Sequence, residues 1–168
     1  ELEQMKNAVE LSGYDAESVK VTIIVCQKGH HTRFAYTDKQ EQGTYRANIC
    51  PGLVCDATTT NSISSSEYIE FYLNSHVSIQ GTSKPCKYSM IYDEIGFKLA
   101  EVQLLCYWTC YLYCRCNKSV SYATPAYYAH WASKRARTLY SAGGSAGDLK
   151  KISDVWCEKD ALSTMFFV

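Results

Sequence analysis

The chemistry available to this 168-residue chain rests on nine cysteines, four histidines and a few clusters of lysine and arginine. Cys106, Cys110 and Cys114 recur at four-residue spacing, which on a helix lines three thiols along one stripe, and Cys116 follows closely. A zinc site needs short-spaced ligand pairs from two segments, so cysteines marching along an apolar stretch read first as core packing. A cysteine-based metal or redox module is the competing reading. His30-His31 sit between Lys28 and Arg33, whose charges repel a cation and favour a phosphate. His130 stands alone and reads as a metal ligand, a general base or a structural histidine. Asp93-Glu94 read as a turn ending a strand rather than a catalytic dyad. No glycine loop cradles a phosphate; Gly143-Gly144 belong to a Ser/Ala-rich run.

Charge sharpens the choice. Seventeen Lys plus Arg balance seventeen Asp plus Glu, for a formal charge of zero and a pI near 7.1. The balance is segregated, however. Between Val102 and Gly147 there is no Asp or Glu, while Arg115, Lys118, Lys134, Arg135 and Arg137 all lie there. One charge run alone is a solvated face. Two basic clusters interleaved with Tyr113, Tyr122, Tyr127, Tyr128, Ser119 and Ser121 fit phosphate, which accepts from guanidinium, ammonium, hydroxyl and helix N-terminal amides.

The elements that must position these groups are legible from periodicity. Residues 1–11 place Leu2, Met5 and Val9 on one side of a helix, stopped by Ser12-Gly13. Val19–Cys26 is β-branched and predicts a buried strand, with Arg33–Thr37 as its partner or a following short strand. Asp38–Pro51 reads as loop, Gly52–Thr60 as a strand and Asn61–Ser66 as a turn. Tyr68–Leu73 and Tyr88–Tyr92 predict two more strands around the loop Ser78–Pro85. Phe97–Cys116 predicts a helix apolar on most sides and therefore buried. Thr124-Pro125 predicts a helix start, threonine as cap and proline first, running to Leu139. Ser141–Gly147 reads as a flexible loop, and Asp148–Thr164 as a last helix with an apolar tail to Val168. Strands followed by helices make the chain α/β or α+β.

Length fits one domain, and a hydrophobic content of 46% supports a core. The odd cysteine count and the absence of a leader predict a reducing compartment. The start at Glu1 predicts a fragment. The longest apolar run, Val102–Cys114, falls short of the roughly 20 residues that span a bilayer, so no membrane segment is expected.

Four stretches together resemble one family. Gln27-Lys28-Gly29-His30-His31-Thr32-Arg33 resembles the QKRHHTR segment of Argonaute Piwi domains. Phe71-Tyr72-Leu73-Asn74-Ser75-His76 with Ile79-Gln80-Gly81-Thr82-Ser83-Lys84-Pro85 is similar to their FYLxSHxxIQGTSRP. Arg115-Cys116-Asn117-Lys118-Ser119-Val120-Ser121 with Pro125-Ala126-Tyr127-Tyr128-Ala129-His130 resembles RCTRSVSxxxPAYYAH, and Leu162–Val168 resembles the family's terminus. The order and gaps are family-like across nearly the whole chain.

The resemblance implies the C-terminal part of a eukaryotic Argonaute Piwi domain over residues 1–168, an α/β, ribonuclease-H-like fold that is incomplete here. It implies binding of a small guide RNA and its paired target RNA within RNA-mediated gene silencing. The rest of the Argonaute chain and silencing cofactor proteins would be partners, in the cytoplasm, with the nucleus as the alternative. Its alternative function is a Mg2+-dependent slicer whose three carboxylates precede this chain. His130 would be the fourth metal ligand, so the isolated chain should need no cofactor and cut no RNA. Lys28, His31, Arg33, His76, Gln80, Tyr113, Arg115, Ser121 and Tyr127 match positions near guide phosphates. Arg135 matches the 5′-phosphate pocket, which the terminal carboxylate of Val168 approaches. Departures are Gly29 for a basic residue, Lys84 for arginine, which loses a bidentate fork, Asn117 for threonine, and a short 141–147 loop.

Overall fold

The computed structural model describes residues 1–36, 48–56 and 69–143. Their order is α1 (Leu2–Leu11), β1 (Thr22–Gln27), β2 (Leu53–Cys55), β3 (Ile69–Asn74), β4 (Cys86–Asp93), α2 (Leu99–Thr109) and α3 (Thr124–Gly143). The four strands form one sheet in the order β1-β4-β3-β2, with every neighbouring pair antiparallel. β1 therefore pairs with β4, far along the chain, rather than with residues 33–36. Those residues form no ladder, which corrects the expected partner strand. β4 pairs on both sides and is central, so Tyr88, Ser89 and Met90 are buried.

The core lies between one sheet face and α2. Phe71 and Tyr88 are register partners whose rings stack at 5.3 Å, and Leu73, Cys86 and Met90 extend that face. Val102 and Cys106, one turn apart on α2, close it from above. Burying each large side chain here contributes about 1.5–3 kcal/mol.

α2 is shorter and less buried than its composition predicts. It ends at Thr109 instead of Cys116, and of its residues only Val102 and Cys106 are buried. Leu104, Leu105 and Trp108 on it, and Tyr111 and Leu112 beyond it, are exposed. An apolar helix buries what a neighbour covers, and only its sheet-facing stripe meets one. The stripe of thiols breaks for the same reason. Cys106 and Cys110 are buried, but Cys114 lies past the helix end and is exposed. The Val120 amide donates to the Cys110 carbonyl at 2.9 Å, folding residues 111–119 into a turn.

The start of α3 also differs. The Ala123 carbonyl receives the first helical bond, from the Tyr127 amide at 3.2 Å. Pro125 is thus the second helical residue, and the buried Thr124 Oγ1 has no hydrogen-bond partner among the described residues, so threonine does not cap. The reason is tertiary: the Ala123 amide donates to the Tyr88 hydroxyl at 3.0 Å, which pins the helix start to β4. α3 runs on to Gly143, so 141–143 are helical where a loop was expected; 144–147, the expected last helix and Val168 lie outside the described residues. Residues 57–60 of the expected second strand and the 61–66 turn do too. α1 is as expected, ending before Gly13, whose φ of +86° glycine adopts without strain. No described helix is long and apolar enough to cross a membrane.

Candidate nucleic-acid interface

Three segments distant in sequence converge beyond the C-terminal ends of β1 and β3. They are residues 28–33, the 75–85 connection between β3 and β4, and the 113–123 segment leading into α3. The junction is made of backbone carbonyls. Ser75 Oγ donates to the Val120 carbonyl at 2.5 Å. Lys28 Nζ donates to the Lys84 carbonyl at 2.5 Å and to the Ser121 carbonyl at 3.4 Å. His30 Nε2 meets the Pro85 carbonyl at 2.8 Å, and its ring packs edge-on to Tyr72.

Lys28, His76 and Ser121 are brought together by this junction. Burial lowers the Lys28 pKa first, and the charges of Lys84 and Arg33 lower it further. No carboxylate among the described residues pairs with it. His76 is half-buried and is held below the ordinary imidazole value by desolvation and then by the Lys28 charge. Its buried Nδ1 has no hydrogen-bond partner among the described residues. A cation kept uncomfortable by burial and like charges, beside an unpartnered ring nitrogen, is a place where an anion is stabilised.

The tyrosines assemble beside the 113–123 segment. Tyr113 contacts Tyr127 at 4.7 Å and Tyr128 at 5.4 Å, and Tyr122 contacts Tyr127 at 4.9 Å. Tyr113 is buried within this cluster of tilted rings. Arg115 is exposed between Cys114 and Cys116. His31 is exposed too, alternating with inward His30, and Arg33 Nη1 is turned back onto the carbonyls of His30 and Thr32. Gln80 lines a separate cleft of about 580 Å3 with Phe34, Asn48 and Ile79.

Arg135 and His130 are exposed on α3. Val168 lies outside the described residues. Among the described residues no three His, Cys, Asp or Glu converge on a point that could hold a metal ion. Mg2+ takes hard oxygen ligands in an octahedral array, and a lone exposed histidine does not fit it.

Sequence reasoning missed Asn48 and Asn74. Asn48 Nδ2 donates to the Gly81 carbonyl at 2.9 Å while its Oδ1 accepts from the Ser83 amide at 2.9 Å, clamping the turn that carries Gln80. The buried Asn74 Nδ2 donates to the carbonyls of Ile49, Cys50 and His76, tying β3 to the segment before β2. Apart from the Asn74–His76 bond, these contacts span more than twenty residues of sequence, and no local pattern reports them. Asp93 and Glu94 are structural: Asp93 accepts the amides of residues 95–97, and Glu94 holds Lys6 and the Val21 amide.

The family model described as "Piwi domain" matches residues 1–141. The chain belongs to the Piwi domain family. Two Argonaute relatives from Oryza sativa subsp. japonica place it among Argonautes. Protein argonaute 2 is 41% identical over 140 residues, covering 83% of this chain and 13% of the relative. Protein argonaute PNH1 is 48% identical over 119 residues, covering 70% of this chain and 12% of the relative. The chain thus spans about an eighth of the length of these relatives. The crystal structure of the C-terminal lobe of a budding yeast Argonaute superposes with a TM-score of 0.71 at 27% identity, covering 97% of this chain and 34% of that one. The Kluyveromyces polysporus Argonaute with a guide RNA gives 0.69 at 31% identity, covering 83% and 17%. This Piwi-family chain therefore carries its junction of three segments within an Argonaute-like architecture.

Proposed function

We propose that this chain holds the phosphate backbone and 5′ end of a small guide RNA, as part of an Argonaute acting with a complementary target RNA in gene silencing. The observation that carries this reading is Lys28. Its ammonium is half-buried, unpaired by any carboxylate among the described residues, and flanked by His76, Lys84 and Arg33. A phosphate oxygen there would offset both desolvation and like-charge repulsion. Arg115, Ser121 and the tyrosine hydroxyls would add contacts that choose no base, leaving sequence to pairing. The guide RNA in the Kluyveromyces polysporus structure supports this class of ligand.

The finer fold reading is a ribonuclease-H-like Piwi domain of which residues 1–168 are the C-terminal part. Arg135 would receive the guide's 5′ phosphate, in the pocket that the terminal carboxylate of Val168 would approach. For slicing, the chain offers His130 alone of the residues described, and no catalytic step follows from it. The remainder of the Argonaute chain and silencing cofactors are the proposed protein partners.

The test is binding of a short 5′-phosphorylated RNA by the whole Argonaute carrying Lys28→Ala, Arg115→Ala or Arg135→Ala, over a range of salt. Each lost phosphate contact should weaken binding about tenfold and flatten the log–log salt slope by roughly 0.7. Arg135→Ala should also abolish the preference for 5′-phosphorylated over 5′-hydroxyl RNA. Unchanged affinity and slope in all three variants would sink the proposal.

A further inference from the structure

The turn that carries Gln80 is held by a residue far from it in sequence. Asn48 Nδ2 donates to the Gly81 carbonyl and Asn48 Oδ1 accepts the Ser83 amide, both at 2.9 Å. A third bond, from Ser83 Oγ to Ser78 Oγ at 2.9 Å, ties the two ends of the turn together, and Ser83 is buried. Gly81 takes a φ of +73°, which glycine adopts without strain. The chain then runs to Lys84, whose carbonyl receives Lys28 Nζ. The turn is thus fastened at one end to Asn48 and at the other to the Lys28 junction.

The clamp leaves the outer amides free. Gln80, Gly81 and Thr82 are exposed, and among the described residues their amides donate to no acceptor. Successive backbone amides around a positive-φ residue make a concavity that takes an anion. Asn48 lines the cleft of about 580 Å3 beside them, with Phe34, Ile79 and Gln80. Left to itself, an exposed turn containing glycine samples many conformations, and ordering it on binding would weaken affinity. The clamp orders it beforehand.

We propose that Asn48 is a positioning residue for RNA binding, whose two bonds preset residues 79–82 so that the Gln80 side chain and the free amides of residues 80–82 meet one phosphate of the RNA backbone. These donors are neutral and choose no base. The inference rests on the RNA-binding reading above and adds to it a residue that acts through the turn.

The experiment measures binding of a short 5′-phosphorylated RNA to the whole Argonaute. It compares native RNA with RNAs carrying one uncharged methylphosphonate, moved one linkage at a time. In the wild type the linkage seated on the turn should show a penalty of about tenfold, as expected when hydrogen bonds to a charged oxygen are weakened. Asn48→Ala should weaken native RNA about tenfold and shrink that one penalty to under about twofold, with the penalties at other linkages kept. A merely structural role would weaken all the RNAs alike and leave every penalty in place. Gly81→Ala has open space for its Cβ but strains the positive φ, so it should reproduce the Asn48→Ala pattern. Gly81→Asn, which tolerates that φ, should restore most of the affinity. The glycine variants keep the inference falsifiable if Asn48→Ala misfolds. Unchanged affinity in Asn48→Ala and Gly81→Ala, or weakened affinity with every linkage penalty retained, would overturn this inference alone, provided Lys28→Ala, Arg115→Ala or Arg135→Ala still weakens binding. Unchanged binding in those last three variants would overturn the RNA-binding reading and this inference with it.

Discussion

Tyr88→Phe tests how the sheet positions the candidate interface. The Tyr88 ring is fully buried against Phe71, and its hydroxyl accepts the Ala123 amide at 3.0 Å and meets Cys110 Sγ at 3.7 Å. The ring stays in the variant, so core packing is retained and the loss is polar. Leaving a buried amide unsatisfied costs about 1–3 kcal/mol. Ala123 is half-buried, so water recovers part of that, and the sulfur contact is weak. The expected cost is therefore about 1–2 kcal/mol, concentrated at the start of α3. Hydrogen exchange of the intact protein, read by mass spectrometry, should show amides of residues 123–128 exchanging about tenfold faster, because 1.4 kcal/mol is tenfold in an opening equilibrium. Ser121, two residues before Ala123, shares Lys28 with the Lys84 carbonyl, so guide affinity should fall several-fold as well. Unchanged exchange at 123–128 would refute the argument that this one hydroxyl pins α3 to the sheet.

Val102→Ala should lower stability by about 2 kcal/mol, because Val102 is fully buried between α2 and the sheet, whereas exposed Trp108→Ala should cost under about 0.5 kcal/mol; thermal denaturation compares them. Glu94 is held at about 2, below its ordinary 4.5, chiefly by Lys6 and then by the Tyr92 hydroxyl. The unfolded state binds more protons between those values, so this contribution is complete above about pH 4.5 and is lost as pH falls toward 2. Glu94→Gln should flatten stability against pH over that window, as read by denaturation at a series of pH values. The isolated chain should self-associate, because Leu104, Trp108 and Leu112 are exposed together with Val25 on β1, at the edge of the sheet. Trp108→Lys with Leu112→Lys should shift light scattering toward monomer.

Much of the fold was readable locally. β-branched and aromatic runs marked β1, β3 and β4, and Gly13 marked the end of α1, because those signals are intrinsic to a few neighbouring residues. Helix ends were not readable at the same level. Composition carried α2 to Cys116, but the turn closed by Val120 and Cys110 ends it at Thr109. Thr124 looked like a cap, yet Tyr88 moved the helix start one residue earlier. Of the candidate site, the residue types of Lys28, His76, Arg115, Ser121 and Tyr127 were legible from motif. That Lys28 and His76 share one environment, that Tyr113 is buried among tilted tyrosine rings, and that Asn48 and Asn74 hold the connecting turns were not.

By itself the sequence determined the family, the strand-forming runs and the separation of an acid-free basic stretch from acidic flanks. These are properties of residue type and order. Only the tertiary structure decided that Lys28 is half-buried with no carboxylate partner among the described residues, which thiols are buried, and which side of an apolar helix is covered. Burial, desolvation and the pairing of distant strands set those outcomes, and each depends on neighbours that lie tens of residues away along the chain.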